Sequence, residues 1–386
     1  MSSLHQIAGN QLTLMQNGAE FFPNLCADID KAQHSIYLET YRFVDDEIGR
    51  LVANSLRHAA IRGVAVRVLL DGFGSAELSS DWLEIWRKDG IEMQWFRRER
   101  SQFRIRRYRL RRLHRKLVVI DEEVAYIGGL NIMHDVPAHT DLTMPQLDYA
   151  VRVQGMIVDE IHQVMRHLWG VVSWANFRRR GKHFFANVAN RVHHVASPSL
   201  TFVVRDNVHH RRDIERAYLK AIANAQHEVI IANAYFLPGR LFRRALKQAA
   251  QRGVRVVLLL QGKVEYVIQH YATRSLYGEL LAVGVEIYEY QNSYLHAKVA
   301  VIDGQWATVG SSNIDPFSLL LSREANLLVN DAGFAESLRA SLLAIIAKDA
   351  QRVKLVEGGY LTPFLSRLSY AGIRFLVGVM GFSKWH

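Results

Sequence analysis

Two short stretches of this 386-residue chain bring together side chains from which chemistry could be built: Leu113-His114-Arg115-Lys116-Leu117-Val118-Val119-Ile120-Asp121 and Leu295-His296-Ala297-Lys298-Val299-Ala300-Val301-Ile302-Asp303. The apolar runs read as strands, and on a strand residues two apart share a face. His114 and Lys116 therefore point one way, as do His296 and Lys298, so each copy sets an imidazole beside an ammonium. Asp121 and Asp303 follow their histidines by seven positions, an odd number, so each faces away and sits at the next turn, where turn and salt-bridge support is the expected role. Seven residues after each Asp comes a turn of small residues, Gly128-Gly129-Leu130-Asn131 and Gly310-Ser311-Ser312-Asn313. Small residues let backbone N–H groups approach an anion, and Asn131, Asn313 and the Ser311 hydroxyl can donate to phosphate oxygens.

Further on, Asp148 in Leu147-Asp148-Tyr149-Ala150-Val151 and Glu324 in Arg323-Glu324-Ala325-Asn326-Leu327 occupy matching places. A carboxylate behind an imidazole fixes its tautomer and stabilises its charged form, so these two are candidates for orienting the histidines. The doubled set suits a phosphodiester pocket that needs no metal and no other cofactor. Its lysines neutralise the nonbridging oxygens, one histidine attacks phosphorus and the other protonates the leaving oxygen. A single H-x-K on a strand is commonly a solvated pair. Two copies with the same spacing to Asp and to a G-x-x-N turn are hard to obtain by chance.

The elements that must position these residues are repeated too. Ala32-Gln33-His34-Ser35-Ile36 matches Ala225-Gln226-His227-Glu228-Val229, and Ala59-Ala60-Ile61-Arg62-Gly63-Val64-Ala65-Val66 matches Ala249-Ala250-Gln251-Arg252-Gly253-Val254-Arg255-Val256. Helices and strands alternate, as in a helix from Asp46 to Arg62, a strand from Val64 to Leu70, a helix from Leu78 to Lys88 and a strand from Ile91 to Phe96. The expected architecture is α/β: two pseudosymmetric lobes, each a mixed β-sheet flanked by helices, with the active site where the lobes meet. The boundaries drawn from the sequence are residues 1–178 for the lobe with His114, 179–199 for a junction, 200–356 for the lobe with His296, and 357–386 for a terminal amphipathic helix.

Composition sets the outer limits. With 49% hydrophobic and 22% charged residues the chain can bury a large core, and its length suits two domains. One cysteine, Cys26, excludes an internal disulfide and a thiolate zinc cluster. The formal charge of +11 favours polyanionic partners, either nucleic acid or anionic lipid headgroups. The amino terminus lacks the pattern of a secretory signal, and no run of about 18 uncharged apolar residues suggests a membrane span. His134-Asp135, His139 and Asp141 include ligand-type residues but lack a metal-binding spacing, so no metal is expected.

H-x-K-x(4)-D followed by G-[GS]-x-N, present twice, resembles the signature of the phospholipase D superfamily. Within it, Gly128-Gly129-Leu130-Asn131, Ile231-Ala232-Asn233-Ala234-Tyr235-Phe236-Leu237-Pro238-Gly239 and Trp306-Ala307-Thr308-Val309-Gly310-Ser311-Ser312-Asn313 are similar to the short, B-type bacterial cardiolipin synthases. The resemblance spans roughly residues 10 to 350. It implies transfer of a phosphatidyl group from one phosphatidylglycerol to another through a phosphohistidine, with release of glycerol. It also implies a catalytic set of His114, Lys116, Asp121, His296, Lys298 and Asp303, with His114 the usual nucleophile and His296 the general acid and then base. Pseudosymmetry allows the reverse assignment. Gly129 stands where the second copy has Ser311, so the expected phosphate cradle is asymmetric. Hydrolysis by a phospholipase D-type enzyme and, less favoured, nuclease activity are the rival readings.

Between residues 97 and 112 nine of sixteen residues are arginine, interleaved with Phe103, Ile105, Tyr108 and Leu110. The run suits either a nucleic-acid backbone clamp or an anionic-lipid patch, with Arg104, Arg106, Arg107 and Arg109 as membrane-binding candidates. From Leu361 onward apolar residues recur at helical spacing, among them Phe364, Leu368 and Phe375, with Arg367 and Arg374 on another face. That pattern fits an in-plane interfacial anchor. It tips the expectation to an anionic phospholipid membrane rather than nucleic acid, and to a peripheral protein on the cytoplasmic face of a bacterial inner membrane. No feature of the sequence specifies an oligomer.

Overall fold

A helix, a glycine stop and a buried strand form the local unit that the sequence writes twice. In the first copy Asp46 caps the helix Glu47–Ile61 by accepting the Gly49 N–H at 2.8 Å. Gly63, at φ +94, ends it, with Gly63 N donating to Ala60 O and Val64 N to Ala59 O. The left-handed φ is why glycine stands there. The second copy reproduces this after the helix Arg240–Gln251: Gly253 lies at φ +92, with its N–H on Ala250 O and Val254 N on Ala249 O.

The computed structural model describes residues 3–98, 111–136, 142–179, 199–206 and 210–354. Two eight-stranded mixed sheets organise them. The first runs Leu4–Ile7 (β1), Asn10–Gln16 (β2), Tyr149–Gly155 (β8), Val124–Gly128 (β7), Lys116–Ile120 (β6), Ser35–Thr40 (β3), Ala65–Asp71 (β4), Glu92–Phe96 (β5). The second runs Ala350–Arg352 (β16), Glu286–Tyr290 (β12), Arg255–Gln261 (β11), Glu228–Asn233 (β10), Lys298–Ile302 (β13), Trp306–Gly310 (β14), Glu324–Asn330 (β15), Leu200–Arg205 (β9). In each, three parallel strands (β3, β4, β5 and β10, β11, β12) meet an antiparallel run begun by the motif strand, β6 or β13. The pairings Glu39 with Leu117 and Ala232 with Val299 put the two sheets in the same register. Because β6 and β13 run against their parallel neighbours, each motif histidine sits at the carboxyl end of those neighbours, where open α/β sheets bind ligands.

The residues divide into two compact units, 1–135 with 150–202, and 136–149 with 203–386. Residues 136–149, drawn with the first lobe on chain order, thus group with the second. Each unit has its own core: Phe22, Leu38, Val68, Trp86 and Tyr126 are buried in one, Tyr218, Ile231, Phe242, Leu258 and Ile287 in the other.

The Ala-Gln-His repeat has a structural cause. Asp121 accepts the N–H groups of Gln33, His34 and Ser35 at 2.7–2.8 Å, and Asp303 those of Gln226, His227 and Glu228, all at 2.8 Å. Burial raises both carboxyl pKa values, but the three N–H donors outweigh it and the net direction is down. A depressed folded pKa contributes stability above the unfolded value of about 3.9 and loses it as pH falls through the folded one. Asp303→Ala should therefore destabilise by on the order of 2 kcal/mol near neutrality, with a stability profile flatter than wild type below about pH 4, as urea unfolding across pH will show.

Candidate active site

His114 and Lys116 both lie against Tyr41: the His114 and Tyr41 rings are 5.0 Å apart between centroids, and Lys116 Nζ is 5.5 Å from the tyrosine centroid. The shared face expected from strand alternation is thus present. Lys116 Nζ donates to His114 O at 2.6 Å. Arg115, between them, points the other way and forms a bidentate pair with Glu39, both 3% exposed, with its second contact at 3.0 Å.

The second motif is built alike and shows more of its support. Lys298 is fully buried and also donates to the carbonyl of its own histidine, His296 O. Its Nζ lies 3.8 Å from Asp148 Oδ2. Burial drives its pKa down, and Asp148, Glu324 and Glu265 oppose this without reversing it. Asp148 Oδ2 lies 2.6 Å from His296 Nδ1. With the carboxylate accepting from Nδ1–H, the imidazole is held in one tautomer and one orientation. Chain order does not tell which histidine Asp148 serves; the backbone decides it. Leu147 bridges Leu295 in parallel, Leu147 N donates to Tyr294 O at 2.9 Å and His296 N to Leu147 O at 2.8 Å. The carboxylate that follows the first motif in sequence is thereby brought to the histidine of the second.

Asn131 and Asn313 end their turns with Oδ1 atoms that are buried and have no hydrogen-bond partner. Their neighbours are clamped: Ile132 bridges Phe43 and Ile314 bridges Phe236, and Ile314 N donates to Asn233 Oδ1 at 3.1 Å. Ser311 has a different place from the one expected. It is fully buried, and its hydroxyl donates to Glu324 Oε2 at 2.6 Å while accepting the Ala325 N–H at 3.0 Å, so it supports a carboxylate rather than facing a phosphate. Gly310 is small for a packing reason, since a Cβ there would meet Asn326 Oδ1 at 2.4 Å. Asp121 and Asp303, counted with the catalytic set, spend their carboxylates on backbone amides at the far ends of β6 and β13 from His114 and His296.

Sequence reasoning missed one matched pair. Asp71 Oδ2 accepts the N–H of Leu113 at 2.8 Å, and Gln261 Oε1 that of Leu295 at 2.6 Å. Each end of β4 or β11 thus holds the residue before a motif histidine. Burial raises the Asp71 pKa despite N–H donors from Leu113, Gly74 and Phe73. The two residues differ in type, which hid the match.

Asp135 accepts the Gly18 N–H at 3.0 Å and His134 N donates to Asp46 at 2.7 Å, so this loop is tied to the fold. No group of three or more His, Cys, Asp or Glu poised for a metal occurs among the described residues. His139, Asp141, Arg104, Arg106, Arg107, Arg109, Phe364, Leu368 and Phe375 lie outside them. At the edges of the arginine run, Arg97, Arg98 and Arg112 lie over the rings of Phe96, Trp95 and Phe73.

The sequence profile described as "Cardiolipin synthase, PLD-like domain" matches residues 25–169 and 218–346, one segment for each motif. The chain belongs to this family. Cardiolipin synthase B of Escherichia coli (strain K12) is 42% identical over 347 residues, covering 89% of this chain and 82% of the relative. The cardiolipin synthase of Geobacillus kaustophilus is 32% identical over 317 residues, covering 82% of this chain and 62% of the relative. In fold, this member of the cardiolipin synthase family is similar to the crystal structure of phosphatidylserine synthase from Haemophilus influenzae, with a TM-score of 0.69 at 14% identity, over 95% of this chain and 93% of that one. The two-lobed α/β architecture of mixed sheets is shared.

Proposed function

We propose that the protein is a phosphatidyltransferase that makes cardiolipin from two molecules of phosphatidylglycerol and releases glycerol. The observation that carries the reading is the doubled motif in which His296 is held by Asp148 beside a buried Lys298. In the proposed sequence His114 attacks phosphorus, the bond to the glycerol oxygen breaks, and His296 delivers its proton to that oxygen. His296 then takes the proton of the second lipid's hydroxyl, whose oxygen attacks phosphorus and displaces His114. One phosphodiester replaces another, so no nucleotide is consumed. Lys116, Lys298, Asn131 and Asn313 serve the phosphate oxygens, and Asp148 and Glu324 serve as the orienting carboxylates.

Phosphatidylglycerol vesicles incubated with purified protein should yield cardiolipin and glycerol in equal amounts. Phosphatidic acid as the main product would assign hydrolysis instead, and no lipid product from folded protein would overturn both. Metal-free cleavage of DNA would assign a nuclease.

The substrate resides in a membrane, and the described surface carries a feature suited to one. Val264, Tyr266, Val267 and Ile268 are each more than half exposed within a run of five residues, next to Lys263. Such a cluster of exposed apolar side chains supports contact with an anionic bilayer, the peripheral placement proposed here on the cytoplasmic face. No helix among the described residues is long and apolar enough to cross a membrane. Val267→Asp with Ile268→Asp should weaken flotation with phosphatidylglycerol vesicles by roughly tenfold or more, while leaving thermal unfolding near that of wild type.

A further inference from the structure

Next to the second motif lies a pocket that the steps above do not use. It is a narrow recess, partly open to solvent, between the segment after β10 and the helix Val267–Arg274. Tyr235, Gln261, Lys263, Glu265, Gln269 and His270 contribute to its walls. Two of these residues carry buried polar atoms with no hydrogen-bond partner: the donor Gln261 Nε2 and the acceptor Gln269 Oε1. An unmatched buried polar atom costs on the order of 1–3 kcal/mol, so a donor and an acceptor on two residues that line one pocket favour a ligand offering both. The Gln261 amide is not free to turn over, because its Oε1 is held by the Leu295 N–H at 2.6 Å. Leu295 precedes His296, which places the pocket beside the proton-transferring group.

Charge decides the ligand class. Lys263 is offset by Glu265, which accepts the Tyr235 hydroxyl at 2.7 Å. Burial and then Arg274 hold the His270 pKa below its ordinary range, so its ring is neutral near pH 7. Among the described residues that line it, the pocket therefore has no excess cation to select phosphate. The edge-to-face rings of Tyr235 and Tyr266, 5.8 Å apart, add carbon surface suited to C–H groups. Neutral hydroxyls on a short carbon chain match all of this.

We propose that this pocket is the subsite for the glycerol headgroup, binding the vicinal diol of the alcohol that leaves or attacks phosphorus. The proposal rests on the phosphatidyl-transfer reading and deepens it. Deuterated glycerol and 1-propanol, offered together to enzyme on phosphatidylglycerol vesicles, measure it as the ratio of labelled phosphatidylglycerol to phosphatidylpropanol. Gln269→Leu should lower that ratio about tenfold, the factor for one well-made hydrogen bond, with summed product falling less. Gln261→Glu keeps an acceptor for Leu295 N–H, as Asp71 does for Leu113, while removing the donor, and should lower the ratio similarly. An unchanged ratio in both variants overturns the proposal and leaves the transfer reading standing.

A second readout is independent of turnover. Saturation-transfer NMR of glycerol with folded His114→Ala protein should give a difference signal that disappears when Gln269→Leu is added. If the signal disappears in this way but the wild type makes no transfer product, the polyol site stands and the reading it was built on is overturned. Absence of the signal in His114→Ala overturns the site.

Discussion

His114→Ala will reduce cardiolipin formation below detection, His296→Ala will reduce it by at least about 10⁴-fold, and Asp148→Asn will retain roughly 10⁻³ to 10⁻⁴ of wild-type activity. The order follows from the proposed roles. Without His114 there is no atom to carry the phosphatidyl group. Without His296 the leaving glycerol oxygen departs unprotonated and the acceptor hydroxyl is not activated. Asp148→Asn keeps the packing of a 3% exposed side chain but loses the charge that meets His296 Nδ1 at 2.6 Å, and it can present an amide where a carboxylate was needed. Initial rates on phosphatidylglycerol vesicles, with KM and kcat separated, test the series. Asp148→Asn should act on kcat with KM nearly unchanged, because its target is proton transfer rather than lipid binding. Equal activity in Asp148→Asn and wild type would remove the Asp148 carboxylate from the chemistry, and equal activity in His296→Ala would remove His296.

Arg115→Ala is expected to destabilise the first unit by about 3–5 kcal/mol, since it leaves the Glu39 carboxylate buried without its partner. Both side chains are 3% exposed, and the pair anchors the strand from the face opposite His114 and Lys116. The second unit supplies the comparison. Ala232 and Ala297 occupy the matching positions, so this sheet can be built with no ion pair there. Glu39→Ala combined with Arg115→Ala should therefore cost less than the sum of the two single changes, with a coupling of a few kcal/mol in a double-mutant cycle. Urea unfolding of the four proteins measures it, and additive single costs would show that the pair contributes only packing.

Much of this was legible in the residues. Strand alternation gave the common face of His114 and Lys116, and the repeated helix-Gly-strand blocks announced two similar sheets, because φ-permissive glycines and apolar runs are local signals. The recurrence of Ala-Gln-His upstream and Asp downstream was visible as a pattern, while its cause, three amides on one carboxylate, required the fold. Three features were not legible for physical reasons. Asp71 and Gln261 do the same work with different chemistry, and a search for identity passes over them. The Ser311 hydroxyl is consumed by Glu324, a pairing fixed by adjacent strands rather than by spacing along the chain. Asp148 could not be assigned to a histidine from order alone, because a parallel bridge between Leu147 and Leu295 sets the partner.

That bridge limits how the gene can be rearranged. Asp148 lies far upstream of His296, on the other side of residues 179–199. Cutting the coding sequence there would give two polypeptides, one holding the aspartate and the other the imidazole it steadies. On the roles proposed above neither product would keep the couple intact, and swapping in a half from a homologue would exchange one of its members.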